Sequence, residues 1–168
     1  MTMHANPAAE LNRLLAIADF LSVEEVADGF VVANVTTRYG TARIALQGAH
    51  VMSYQPAGHP PLIWLSKFAK FAPGKSIRGG VPVCWPWFGP HASDAKLPGH
   101  GFARTVPWDL VDARVLPDHR LRLEFELVQT DATRAQWPHP CTVKNIVTVG
   151  QELEVELVTT NTGSTAFE

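Results

Sequence analysis

Apolar and polar positions change their period twice along this chain. From Pro7 to Phe20, Leu11, Leu14, Leu15 and Ala18 recur at the three- and four-residue spacing of one helix face, with Asn6 placed to cap and Pro7 at the first helical position. After Ser22 the pattern becomes runs of about six to ten residues rich in β-branched and aromatic side chains, punctuated by Gly, Pro or Asp. These predict strands near Phe30–Thr37, Thr41–Leu46, Ala49–Gln55, Leu62–Leu65, Val106–Val115, Arg120–Thr130, Thr142–Val149 and Leu153–Thr160. The clearest is Arg120 to Val128, where Leu121, Leu123, Phe125 and Leu127 alternate with Arg122, Glu124, Glu126 and Val128, as a strand with one buried face requires. On this pattern Glu124 and Glu126 face solvent. Few helices and many antiparallel-looking strands imply an all-β sandwich or barrel.

No period survives between Ser66 and Thr105. An irregular stretch of roughly 40 residues inside a compact domain is uncommon unless it serves function, so it is the expected site loop. The chain also ends, at 161–168, just after a turn signal, where a further strand would be expected to start.

Composition narrows the classes. The 168 residues suffice for one domain with a sizeable core. Lys and Arg number 14 against 16 Asp and Glu, a formal net charge of -2, and no stretch is basic enough to track a nucleic-acid backbone. Cys84 and Cys141 lie far apart without zinc-ligand spacing, so free thiols are expected. Neither a cleavable leader nor an apolar run of about 18 residues is present; a soluble cytoplasmic protein, with no membrane and no nucleic-acid partner, is the expectation.

The chemistry concentrates in Ile77 to Trp108, IRGGVPVCWPWFGPHASDAKLPGHGFARTVPW. Arg78 and Arg104 offer planar guanidinium forks suited to phosphate oxygens, and Trp85, Trp87 and Phe88 offer faces for the apolar side of a sugar. Arg78-Gly79-Gly80 reads either as an anion cradle or as an arginine on a turn. His100, between Gly99 and Gly101, is the favoured histidine, either donating to a sugar hydroxyl or lying on a solvated loop. Most of Trp64, Phe68, Phe71, Trp85, Trp87 and Phe88 are expected to close the core beneath the loop. Gln47-Gly48-Ala49-His50 reads as a corner between strands whose histidine is structural or functional, and Trp137-Pro138-His139-Pro140 as a loop. His50, His91, His100 and His139 lack metal-ligand spacing, so no structural or catalytic metal is expected. Nucleotide-binding and serine-hydrolase markers are absent from the sequence.

The segments IRGGVPVCWPWFGP at 77–90 and LPGHGFAR at 97–104, supported by QGAHVMSYQPAG at 47–58, LIWLS at 62–66, FELVQ at 125–129 and Trp137-Pro138-His139, resemble the glucose-6-phosphate 1-epimerases. These are the hexose-6-phosphate mutarotases, YeaD-type, of the aldose 1-epimerase (galactose mutarotase-like) superfamily. The likeness runs from about Leu21 to the last residue. It implies a galactose mutarotase-like β-supersandwich, here its N-terminal portion over residues 23–168 behind a helical extension at 1–22. It also implies cofactor-free interconversion of the α and β anomers of a hexose 6-phosphate. By the same resemblance Arg78 and Arg104 contact phosphate and substrate, and His100 helps hold the sugar. Gly99 stands where some members carry glutamine, so its contact would be through backbone. The resemblance places the acid histidine, in a motif resembling LHTYF, and the base glutamate beyond Glu168, so no catalytic residue is expected within this chain. The alternatives are a non-catalytic sugar-phosphate-binding protein, an inactive fragment, or an interaction protein whose open sheets pair with another chain. The hexose preferred and the oligomeric state are unknown from the sequence.

Overall fold

The computed structural model describes residues 7–167, so the expected Asn6 cap lies outside the described residues. Helix α1 (Pro7–Leu15) leads into β1 (Leu21–Ala27), β2 (Phe30–Thr37), β3 (Gly40–Ala45) and β4 (His50–Pro56). After the irregular segment come β5 (Trp108–Val115), β6 (Leu121–Leu127), a short helix α2 (Asp131–Gln136), β7 (Cys141–Val149) and β8 (Leu153–Asn161). Each group of four strands forms an antiparallel meander, in the orders β1-β2-β3-β4 and β5-β6-β7-β8. The all-β sandwich expected from the alternation is the observed architecture.

The two sheets share one core. Val35, Ile44, Val51 and Tyr54 of the first sheet meet Leu121, Leu123, Phe125 and Val147 of the second. Two polar side chains fasten the layers across that core. Asn145 Nδ2 on β7 donates to the Ala49 carbonyl at 2.9 Å, and the Tyr54 hydroxyl reaches the Gly150 and Gln151 carbonyls at 2.9 Å each. Strand β6 keeps its strict alternation because only one face is covered, whereas β2 reads FVVANV because both its faces are. Phe30 and Val32 pack under Met52, Ile77 and Phe71, and Val31 packs with Val23 against Ala8 and Leu11 of α1.

Several expectations are corrected. The helix stops at Leu15 rather than Phe20; the chain turns through Asp19 at φ 65° and begins β1 at Leu21, where a two-residue Leu21/Val23 alternation was too short to register. No strand forms at Leu62–Leu65; only Leu65 bridges, to Gly79. The strand expected to run to Thr130 ends at Leu127, because Thr130 caps α2 by accepting from the Thr133 amide while the Thr133 hydroxyl accepts from the Thr130 amide. Glu124 and Glu126 do lie on the outer face, but Glu124 is enclosed between Arg122 and Lys144 rather than free in solvent. Cys84 and Cys141 are separate thiols. Among the described residues no helix is long and apolar enough to cross a membrane.

Strand β8 pairs with β7 along its whole length and leaves its other edge unpaired. Leu153, Val155 and Leu157 lie opposite Val149, Val147 and Asn145, so they continue the inner face of the sheet, and Val155 and Leu157 are exposed there.

Candidate functional site

The stretch from Ser66 to Thr105 is irregular as expected, apart from isolated bridges and a single 3-10 turn at Ala103–Thr105. It is nonetheless firmly placed. Ile77, Val83, Trp85, Phe102 and Ala103 are buried, and Trp85 packs edge-on against Phe102 and Trp137 at 5.5 and 5.7 Å. Its indole N–H donates to the Thr159 hydroxyl of β8 at 3.1 Å. These anchors fix the ends of loops whose polar residues then face outward.

Arg78 is exposed on the first loop. Its carbonyl accepts from the Ser66 amide at 3.0 Å, and its neighbours are held by the Leu65–Gly79 bridge and by the Gly80 amide donating to the Trp64 carbonyl at 2.8 Å. Its guanidinium has no hydrogen bond or ion pair among the described residues, although nine ion pairs involve other side chains. The backbone is thus fixed while the charge stays free, which is what capture of an anion from solution requires.

The second loop carries Gly99, His100 and Arg104. Arg104 sits in the 3-10 turn, and its Nη2 donates to the Gly99 carbonyl at 2.9 Å, so Gly99 already uses its backbone oxygen inside the loop. The same turn is clamped from below by Trp108, whose indole N–H donates to the Ala103 carbonyl at 2.9 Å. His100, at φ 67°, grips Gly89 twice: its amide donates to the Gly89 carbonyl at 2.7 Å, and its Nδ1 accepts from the Gly89 amide at 3.1 Å. Accepting at Nδ1 places the ring proton of the neutral imidazole on Nε2. Nε2–H has no partner among the described residues.

The two loops are joined through the turn before β4. Gly48 lies so close to the Arg104 backbone that a Cβ there would sit 2.8 Å from its carbonyl oxygen, and His50 bonds Gly79 through Nε2 at 2.9 Å. Arg104 is near enough for its charge to add to the lowering of the His50 pKa, which burial dominates and the Gly79 bond opposes. Arg78 and Arg104 are therefore both seated on Gln47–His50, whereas His91 and His139 stand apart. The His91 Nδ1 caps its own turn by accepting from the amides of Ser93 and Asp94, and His139 packs between Trp137 and Phe167.

The aromatics divide differently from expectation. Trp85 is buried and Trp87 and Phe71 are half-buried, but Trp64, Phe68 and Phe88 are 66, 75 and 81% exposed. Trp64 lies against Gly79, next to Arg78, and Phe88 meets the His100 ring edge-on at 4.7 Å. Composition gave no way to separate them, since five of the six sit in the same aperiodic stretch and Trp64 lies just before it. A cleft of about 570 Å³ lies elsewhere, beneath α1 between Leu14, Val31, Leu46 and Leu110.

Residues 32–168 match the family model described as aldose 1-epimerase. A protein of Salmonella typhimurium provisionally named glucose-6-phosphate 1-epimerase is 48% identical over 116 residues, covering 69% of this chain and 39% of that protein. A protein of the plant Cenchrus ciliaris with the same provisional name is 32% identical over 134 residues, covering 75% of this chain and 40% of that protein. Among solved structures, the YeaD protein of Salmonella typhimurium, provisionally titled a mutarotase, superposes with a TM-score of 0.80 at 39% identity, over 88% of this chain and 49% of that one. The chain thus spans about two-fifths to one-half of the length of these relatives.

Proposed function

Because the chain belongs to the aldose 1-epimerase family, we propose that it carries the substrate-recognition part of a hexose 6-phosphate 1-epimerase site. In this reading Arg78 and Arg104 take the phosphate, the Nε2–H of His100 donates to a sugar hydroxyl, and Trp64 and Phe88 flank the ring. The observation that carries it is the unpaired Arg78 guanidinium on a backbone held at both sides, sharing its support with Arg104. A guanidinium without an internal partner is available to phosphate at no cost of breaking an ion pair.

Anomer interconversion needs one group to take the proton of the anomeric hydroxyl and another to protonate the ring oxygen, each within hydrogen-bond reach. Three candidates for those roles are already engaged inside the protein, which supports this division. His50 is buried with its Nε2 engaged, His91 is tied to its turn, and Glu124 is enclosed on the outer face of the other sheet. In this proposal the chain alone binds hexose 6-phosphates and does not turn them over. Names borne by the relatives support glucose 6-phosphate as the first ligand to test.

The experiment is a calorimetric titration with glucose 6-phosphate and with glucose, alongside a coupled mutarotation assay. Arg78→Gln or Arg104→Gln is expected to weaken the phosphorylated sugar by about 10- to 100-fold, the loss of a charged hydrogen bond, and to leave the unphosphorylated sugar unchanged. Equal losses for both sugars would make the arginines structural. Turnover above the spontaneous rate would refute the division between recognition and proton transfer.

A further inference from the structure

Buried in the frame below the arginine loops is an imidazole that the recognition reading does not use. His50 is 1% exposed, opens β4, and directs Nε2 to the Gly79 carbonyl at 2.9 Å. A carbonyl only accepts, so the ring is the Nε2–H tautomer, and its Nδ1 is left as a buried acceptor with no partner. Burying an unpaired ring nitrogen costs stability that a leucine of similar volume would not incur, so packing alone does not account for histidine here. The surroundings are cut to admit it: a Cβ on Gly80 would lie 2.2 Å from Nε2 and 2.6 Å from the Val51 carbonyl oxygen. Behind it, the Ala49 carbonyl is held by Asn145 of the second sheet.

We propose that His50 is a positioning residue that fixes the Arg78 loop: through its Nε2–H bond to Gly79 it transmits the rigidity of the sandwich to the guanidinium that meets the phosphate. The path runs from Asn145 on β7, through Ala49 and His50 on β4, to Gly79 and so to Arg78, one residue away. The same turn bears on the other arginine at Gly48, so a single rigid corner sets the spacing of the two cations. A phosphate chelated by two guanidinium groups is sensitive to that spacing, because displacements of about 1 Å lose the paired geometry. Burial, with a smaller contribution from the Arg104 charge, disfavours protonation of this ring and so agrees with the Nε2–H tautomer that the Gly79 bond requires.

This inference rests on the phosphate-recognition reading, and the test separates the two. The amide nitrogen of glutamine can occupy the place of a histidine Nε2, and that of asparagine only the place of Nδ1, so His50→Gln keeps the bond to Gly79 and His50→Asn loses it. Two quantities are read for wild type and both variants: the affinity for glucose 6-phosphate relative to glucose, and hydrogen exchange of the Gly80 and Ser66 amides, which bond the Trp64 and Arg78 carbonyls. The expected result is that H50Q stays within about threefold of wild type in affinity and H50N falls about tenfold or more, for the phosphorylated sugar only. The Gly80 and Ser66 amides should exchange at least about tenfold faster in H50N, with the Val147 amide on β7 unchanged. Equal behaviour of H50Q and H50N, or a general loss of fold in H50N that speeds exchange at Val147 as well, overturns the proposal. If wild type does not bind glucose 6-phosphate, the recognition reading fails, while the exchange comparison still decides whether His50 holds the loop.

Discussion

Replacing Gly101 by alanine tests how tightly the His100 loop is laid against the core. Gly101 sits at φ 68°, and a Cβ there would lie 2.0 Å from the Trp85 carbonyl oxygen and 2.3 Å from its carbonyl carbon. Carbon atoms in good contact stand about 3.5 Å apart, so one backbone segment must retreat by about 1.2 Å. Trp85 has little freedom to do so, packed on Phe102 and Trp137 and hydrogen-bonded to Thr159. The left-handed conformation costs an L-residue about 1–2 kcal/mol, and forced overpacking of a core adds about 1–3 kcal/mol. The central expectation is a loss of about 3.5 kcal/mol, a large share of the 5–15 kcal/mol typical of a domain.

The control isolates the clash. Gly58 has a similar φ, 74°, but nothing lies within 4 Å of the place a Cβ would take there, so Gly58→Ala should cost only the conformational part, about 1.5 kcal/mol. Urea unfolding followed by far-ultraviolet circular dichroism reads both variants without relying on Trp85 as reporter. With a slope of about 2 kcal/mol per molar urea, the Gly101→Ala midpoint should fall about 1 M further than that of Gly58→Ala. Midpoints within about 0.3 M of each other would mean that Gly101 and Trp85 are not in close contact, and the seating of the His100 loop on the core would have to be abandoned.

Two further outcomes are expected. Phe125 is fully buried between the sheets and Phe88 is 81% exposed, so Phe125→Ala should lose about 3–5 kcal/mol while Phe88→Ala stays within about 0.5 kcal/mol, both by urea unfolding; a costly Phe88→Ala would place that ring in the core after all. Glu124 is held below the usual carboxylate range, chiefly by the Lys144 hydrogen bond and then by Arg122, against the effect of burial. Its lowered folded pKa makes its stabilisation complete above the ordinary glutamate value, about 4.3, and lost as the pH falls through the folded value. Glu124→Gln should therefore flatten the decline of the melting temperature below about pH 4.5, and an unchanged acid slope would remove Glu124 from the account.

How far the sequence carried depended on whether a residue's environment was local. The start and the alternation of β6 were legible because they report one covered face, though its end was placed three residues too far, and β2 was legible because two covered faces give a largely apolar run. Strand β1 escaped notice because the two glutamates after Val23 break its alternation where the strand reaches the sheet edge. The candidate residues Arg78, His100 and Arg104 could be named from composition and motif, yet their arrangement could not. What seats them, the Gly48 approach to Arg104 and the His50 bond to Gly79, joins residues separated in sequence by tens of positions. The exposed aromatics were misjudged for the same reason: burial of Trp85 and exposure of Trp64 follow from which loop wall each faces, a tertiary property without periodic trace.

The contrast between His50 and His100 shows what the fold adds to residue type. Both are neutral Nε2–H imidazoles by their hydrogen bonds, but the bonds fall on opposite nitrogens. His50 uses its N–H inside the protein and leaves an acceptor stranded; His100 uses its acceptor inside and leaves a donor without a partner among the described residues. A donor left without an internal partner complements hydroxyl and phosphate oxygens, all of which accept, whereas a buried acceptor without a partner marks a ring kept for the bond on its other side. Sequence context favoured His100 because glycines flank it, and one of them does matter, since Gly101 lets the loop lie on Trp85. The difference between the two rings, one with its N–H engaged inside the protein and one with its N–H left without a partner among the described residues, is set by which nitrogen each carbonyl or amide reaches.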